Sequence, residues 1–208
     1  MTFINYLCLK RTLDTLFSFL LILIFSPFFL IIIFAIAIFL GRPIFFIQCR
    51  LGKDLRIFRL YKFRTMTSSS VFKDDEMRLT TFGKFLRRSG FDELPQLFNI
   101  IKGDMSFIGP RPLLIEYLAY FDENQIKRHL VRPGLTGYAQ INGRNSTSWG
   151  TRFKHDLWYI KNISFLTDLK ILLKTFIYIL SFSEFQSSNS HSMIDFRQSK
   201  YNKFNRRK

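Results

Sequence analysis

Residues 15–40 read TLFSFLLILIFSPFFLIIIFAIAIFL, 26 residues without a charge. A straight helix of that length runs about 39 Å, and the hydrocarbon core of a bilayer is about 30 Å thick. The stretch is long enough to enter a membrane and too long for the apolar part of a cleaved leader. At its centre stands Ser26-Pro27. Proline removes a backbone donor and crowds the carbonyl four residues back, here Leu23, so a break or bend is expected there. The Ser26 hydroxyl is placed to bond the freed carbonyl. Lys10 and Arg11 precede the stretch; Arg42, Arg50, Lys53, Arg56 and Arg59 follow it. Positive flanks prefer the cytoplasmic side, and here both flanks ask for it. The residues alone fit both an ordinary kinked span and a bent helix that enters and leaves by one face.

The whole chain has 208 residues, 48% of them hydrophobic and 22% charged, which allows one domain with a real core and excludes a disordered chain. Its net charge of +16 points to anionic partners: lipid head groups, nucleic acid or phosphate-bearing substrates. No helix-turn-helix or RNP-type motif supports a nucleic-acid partner. Two cysteines, Cys8 and Cys49, exclude a disulfide scaffold and a cysteine-ligated zinc domain.

The expected fold class is α+β and mostly helical: a membrane anchor over 1–40, a domain over 41–183 and a basic, disordered tail over 184–208. Residues 44–64 read as a β-hairpin turning at Gly52-Lys53-Asp54. Residues 65–78 are polar and read as a surface loop, and 80–88 as a short helix or turn. Leu94, Leu97, Phe98 and Ile101 repeat at helical spacing and predict a helix over 92–102, with Pro95 in its first turn and Gly103 just past its end. Amphipathic helices are expected over 113–130, 153–162 and 167–183. The last sets Leu169, Leu172, Leu173 and Phe176 among Lys170 and Lys174, a pattern suited to a bilayer surface.

Asp92-Glu93 opens the 92–102 helix. Alone, such a pair only complements the helix dipole. Its surroundings suggest more: Arg87 and Arg88 come just before, and Arg111 is held between Pro110 and Pro112. Arginine neutralises phosphate oxygens, and a carboxylate binds Mg²⁺ or attacks phosphorus. Lys62 and Arg64, two apart at the end of the hairpin, project to one face, although charged strand edges are common. Arg144 in NGRN can meet a phosphate or a uracil, and Asp156 lies among aromatic residues in HDLWYI. The three histidines show no metal-ligand spacing.

The segments KRTLD, the apolar run with Ser-Pro, GRPIFFIQCRLG, LYKFRTM, FGKFLRRSGFDELPQLFNIIKGDMSFIGPRP, RPGLTGYAQINGR and DLWYIKNISFLTDLKILLKT follow in order over residues 10–180. This series resembles the bacterial sugar transferases, the small monotopic phosphoglycosyl transferases. DELPQL followed by GDMSFIGPRP is its most specific part.

The resemblance implies a re-entrant anchor broken at Ser26-Pro27, on the cytoplasmic face of a membrane, and a catalytic domain over 41–183. It implies a UDP-sugar donor, a polyprenyl phosphate acceptor and UMP release through a phosphosugar on Asp92. Mg²⁺ would bridge Asp92 and the diphosphate. Glu93 would handle protons or orient the nucleophile. Lys62, Arg64, Arg88, Arg111, Arg144 and Asp156 would bind substrate. Gly90-Phe91 stands where the family more often has a small polar residue and leucine, a departure that leaves the acidic pair intact. An inactive, membrane-bound scaffold is the alternative, and the intact DE, GPRP and YKFR motifs speak against it.

Overall fold

The computed structural model describes residues 3–67, 78–143, 147–180 and 196. The architecture is α+β and mostly helical, with two small two-stranded sheets among the described residues. Helix α1 (Phe3–Phe39) runs for 37 residues, about 55 Å, and is long and apolar enough to cross a membrane. Pro27 lies inside it. Where the sequence predicts a break at Ser26-Pro27, the helix continues. Proline withholds only its own N–H, and the Leu23 carbonyl this strands accepts a hydrogen bond from Ser26 Oγ at 2.8 Å.

One face of α1 belongs to the core: Phe29, Ile32 and Ile36 are buried with Phe63 and Leu86. Phe17, Ile24, Ile31, Phe34 and Ile38 remain more than half exposed, a patch of a size that lipid covers. Both ends of α1 are fastened to the rest of the chain. Near the start, Tyr6 and Lys10 donate to Asp168 Oδ2 at 2.6 and 2.5 Å, and Arg11 donates to the carbonyls of Ile100 and Ile101. Just past its other end, Arg64 donates to the carbonyls of Leu40 and Gly41.

Strands β1 (Phe45–Leu51) and β2 (Ile57–Phe63) form the expected antiparallel hairpin, with Phe45 opposite Phe63 and Leu51 opposite Ile57. Helix α2 (Thr81–Ser89) is capped by Thr80, whose hydroxyl accepts from Gly83 N. It rests on the backbone after β2 so closely that a Cβ at Gly83 would lie 1.9 Å from the Thr65 carbonyl oxygen.

Helix α3 (Gln96–Lys102) is shorter than the predicted 92–102 element, because residues 91–93 form a separate 3-10 turn. Its buried face is also rotated from the expected one. Leu97, Asn99 and Ile100 are buried, while Phe98 is exposed. Asn99 decides this: its side chain donates to Arg59 O at 2.7 Å and accepts from Tyr61 N at 3.1 Å, committing that face to β2.

Strands β3 (Ser106–Ile108) and β4 (Gly134–Thr136) pair in parallel and bring GPRP against RPGLTG. A Cβ at Gly134 would lie 2.1 Å from Gly109 N, so this contact needs glycine. The single helix expected over 113–130 is replaced by a 3-10 turn (Ile115–Tyr120), helix α4 (Glu123–Ile126) and a second 3-10 turn (Lys127–Leu130). Phe121 is extended, and Asp122 starts α4 afresh through a capping box with Gln125. Helices α5 (Tyr138–Ile141), α6 (Trp149–Lys161) and α7 (Phe165–Leu180) complete the described chain. On α7, Leu169, Leu172, Leu173 and Phe176 are all exposed.

The polar loop at 68–77, Arg144 and nearly all of the tail lie outside the described residues. Phe196 is described and is buried, at 2% exposure. Cys8 and Cys49 are free.

Candidate active site

The acidic pair is delivered by a change of backbone hand. Helix α2 ends at Gly90, which takes φ 73° with nothing within 4 Å of a would-be Cβ. Glycine is thus required there by conformation rather than by space. The chain then enters the turn that carries Asp92 and Glu93. Lys62 faces this turn from β2, and Arg111 from the loop after β3. An open cleft of 1850 Å³ is lined by Lys62, Arg64, Arg88, Asp92, Glu93, Arg111 and Asp156. Every described residue that the sequence singles out for catalysis or substrate binding therefore reaches one space.

The two carboxylates have opposite environments. Glu93 Oε1 accepts from Lys62 Nζ at 2.6 Å and from Arg111 Nη2 at 3.1 Å. Burial would raise its carboxyl, but Arg111 and Lys62 outweigh that and hold it at about 2. Asp92 is buried and has no hydrogen bond among the described residues; Lys62 Nζ stands 4.0 Å away. Burial pushes its carboxyl up to about 6 against the opposing pull of Lys62, with Glu93 adding to the rise. A pair split in this way assigns one member to structure and leaves the other available for chemistry.

Asp156 sits behind this pair. Its Oδ2 accepts from Arg128 Nε at 3.0 Å and lies 2.8 Å from Nη2. Burial raises the Asp156 carboxyl and Arg128 opposes the rise. Arg128 Nη2 also donates to the Arg111 carbonyl at 2.8 Å. The buried ion pair thus holds the backbone of the residue that clamps Glu93. Arg64 lines the cleft, but its guanidinium is turned onto the end of α1. It joins anchor to domain, and its placement on one face with Lys62 does not give the two the same partners.

Arg50, Arg128 and Arg152 also line the cleft. In the sequence Arg50 stands out only as a charge flanking the apolar run. Arg152 and Asp156 stand four apart on α6, a spacing that places them on one face and is legible in the sequence. Arg128 carries no such signal. No group of three or more acidic, histidine or cysteine side chains among the described residues forms a metal cage. A magnesium ion bound through one carboxylate and substrate phosphates needs no such cage, and Asp92 is a carboxylate not committed to hydrogen bonds.

The model of the family described as bacterial sugar transferase matches residues 5–182. The chain is 49% identical over 166 residues to the uncharacterized sugar transferase EpsL of Bacillus subtilis, covering 76% of this chain and 82% of that one. It is 42% identical over 188 residues to the UDP-N-acetylgalactosamine-undecaprenyl-phosphate N-acetylgalactosaminephosphotransferase of Aeromonas hydrophila, covering 85% of this chain and 44% of that one. It is 35% identical over 188 residues to the undecaprenyl-phosphate galactose phosphotransferase of Salmonella typhimurium, covering 80% and 39%. The chain spans most of the length of EpsL but well under half of the other two. The chain belongs to the bacterial sugar transferase family. It is an enzyme of the glycosyl-1-phosphate transferase class.

Proposed function

We propose that this glycosyl-1-phosphate transferase moves a sugar-1-phosphate from a UDP-sugar to a membrane polyprenyl phosphate, releasing UMP, through a covalent phosphosugar on Asp92. The carrying observation is the split pair: Asp92 buried, without a hydrogen bond among the described residues and raised to about 6, beside Glu93 locked by Lys62 and Arg111. Ionised at neutral pH, Asp92 attacks the β-phosphorus. The bond between that phosphorus and the bridging oxygen breaks, and the electron pair leaves with UMP. A phosphate oxygen of the polyprenyl phosphate then attacks the same phosphorus and expels Asp92. Two displacements replace one difficult transfer.

Lys62 and Arg111 neutralise phosphate oxygens as charge builds on them. Glu93, held far below neutral, orients these cations and keeps no proton to pass. Asp92 is the residue that would hold Mg²⁺ together with the diphosphate oxygens. When bound, that ion would supply charge stabilisation to the phosphates. The printed name of the Aeromonas relative, with a UDP-sugar and undecaprenyl phosphate, supports this donor and acceptor class.

In this proposal the protein sits on the cytoplasmic leaflet, with α1 bending at Pro27 while staying one helix, so that it enters and leaves by the same face. Both ends of α1 are tied to one domain, and both flanks are basic. The exposed apolar faces of α1 and α7 enter lipid, and the cleft then lies at the level of the acceptor phosphate. The product is the lipid-linked first sugar of an exopolysaccharide, capsule, O-antigen or related glycan.

The test is UMP release by nanodisc-held protein with a panel of UDP-sugars and polyprenyl phosphate, with and without Mg²⁺, beside Asp92→Ala. Mg²⁺-dependent UMP from one donor, absent in the variant, is expected. UMP release that survives in Asp92→Ala overturns the covalent assignment.

A further inference from the structure

Phe196 lies beyond the family match, which ends at residue 182, yet its ring is buried among five others, those of Tyr117, Tyr120, Phe121, Trp149 and Phe153. Centroid distances are 5.0 Å to Trp149, 5.3 Å to Phe153, 5.5 Å to Tyr117 and 5.8 Å to Phe121, all in the range of favourable aromatic pairs. Two of these rings carry arginines of the cleft. The Arg152 guanidinium lies 5.4 Å over Trp149, and that of Arg128 lies 5.6 Å over Phe153. Trp149, Arg152, Phe153 and Arg128 all line the cleft. Phe196 therefore stands behind the platform on which two cleft cations rest. The turn bearing Asp92 is held from elsewhere, by β2 and α2.

We propose that Phe196 is a positioning residue: its ring holds Trp149 and Phe153, and with them Arg152, in the arrangement that binds the donor's diphosphate. This rests on the cleft being a nucleotide-sugar site. Its physical content is rotational. Without the Phe196 ring, Trp149 gains alternative rotamers and the Arg152 guanidinium stacked on it loses a fixed aim, whereas Arg128 stays held by Asp156 and the Arg111 carbonyl. A flexible cation binds a diphosphate with a larger loss of side-chain entropy.

The chain holds two tryptophans, Trp149 and Trp158, so a Trp158→Phe background makes Trp149 the fluorescent reporter. In full-length protein in nanodiscs, Phe196→Ala is expected to shift Trp149 emission to longer wavelength. It should raise the donor KM and the inhibition constant of UDP together by about 5- to 10-fold, with kcat within about twofold. Phe196→Leu, which refills much of the space, should recover most of the affinity. Unchanged emission with unchanged UDP inhibition overturns the proposal, as does a loss confined to kcat or a Leu variant no better than Ala. If the wild-type protein turns over no UDP-sugar, the proposed reaction fails on its own account. The positioning proposal is then decided by calorimetry with UDP, where equal affinity for wild type and Phe196→Ala overturns it.

Discussion

Lys62 Nζ is bonded to Glu93 Oε1 at 2.6 Å and stands 4.0 Å from Asp92 Oδ2. One ammonium thus completes Glu93 and leaves its neighbour short of a partner. That asymmetry makes adjacent carboxylates chemically different and sets the first expectations for the enzyme.

Asp92→Asn should abolish turnover, by on the order of 10³-fold or more, while the protein stays in the membrane fraction through a high-salt wash. It should also stabilise the fold. The folded carboxyl is raised from 3.8 to about 6, so the ionised form is disfavoured by folding. The penalty is full above about pH 6 and disappears below about pH 4. Removing it at pH 7.5 should gain on the order of 2 kcal/mol, read as a higher thermal midpoint in detergent.

The same titration shapes the rate. With Asp92 required as the anion and its carboxyl pushed up to about 6 by burial, kcat/KM should fall about tenfold per pH unit below about pH 6. A profile flat down to pH 4.5 would show that burial does not hold the Asp92 carboxyl near 6 in the working enzyme.

Glu93→Gln should act with the opposite sign on stability. Its carboxyl is depressed from 4.5 to about 2, so its stabilisation is fully present above about pH 4.5 and is lost as pH falls toward 2. The variant should lose on the order of 2 kcal/mol at pH 7, and the gap from wild type should narrow on acidification. Activity should drop about 10²-fold, because Lys62 and Arg111 lose the anion that aims them. Paired melts at pH 7 and pH 3.5 with initial rates check both.

Asp168 is the knot between the anchor and the last helix, accepting from Tyr6, Lys10 and Tyr159. Asp168→Ala leaves a buried ammonium and two hydroxyls without that acceptor. It should cost about 3 kcal/mol or more and expose the start of α1 to protease in nanodiscs.

Gly83→Ala should be damaging although it adds one methyl group. The new Cβ would meet the Thr65 carbonyl oxygen at 1.9 Å, a backbone atom that cannot rotate away. Displacement of α2 would also displace Gly90 and the Asp92 turn. A loss of at least about 2 kcal/mol and of most activity is expected, against little change for Gly150→Ala, where the nearest atom is 3.9 Å away.

Features dictated by local chemistry are legible in the order of the residues. An uncharged run of 26 residues forms one long lipid-seeking helix. The two strand-like runs over 44–64 form the hairpin, and the short element read over 80–88 is helix α2. Motif order groups Lys62, Asp92, Glu93, Arg111 and Asp156 as candidates. Tertiary structure alone decided the rest, because those features depend on partners distant in the chain. The parallel pairing of β3 with β4 joins segments some 28 residues apart. Asn99 turned the buried face of α3 away from the apolar repeat by bonding to β2. Asp122 restarted a helix where periodicity alone read one continuous element. The Ser26 hydroxyl took up the Leu23 carbonyl, so Pro27 did not end α1. Above all, the unequal standing of Asp92 and Glu93 follows from which carboxylate two distant cations reach. Adjacent positions in a sequence say nothing of that, because burial and charge act through space.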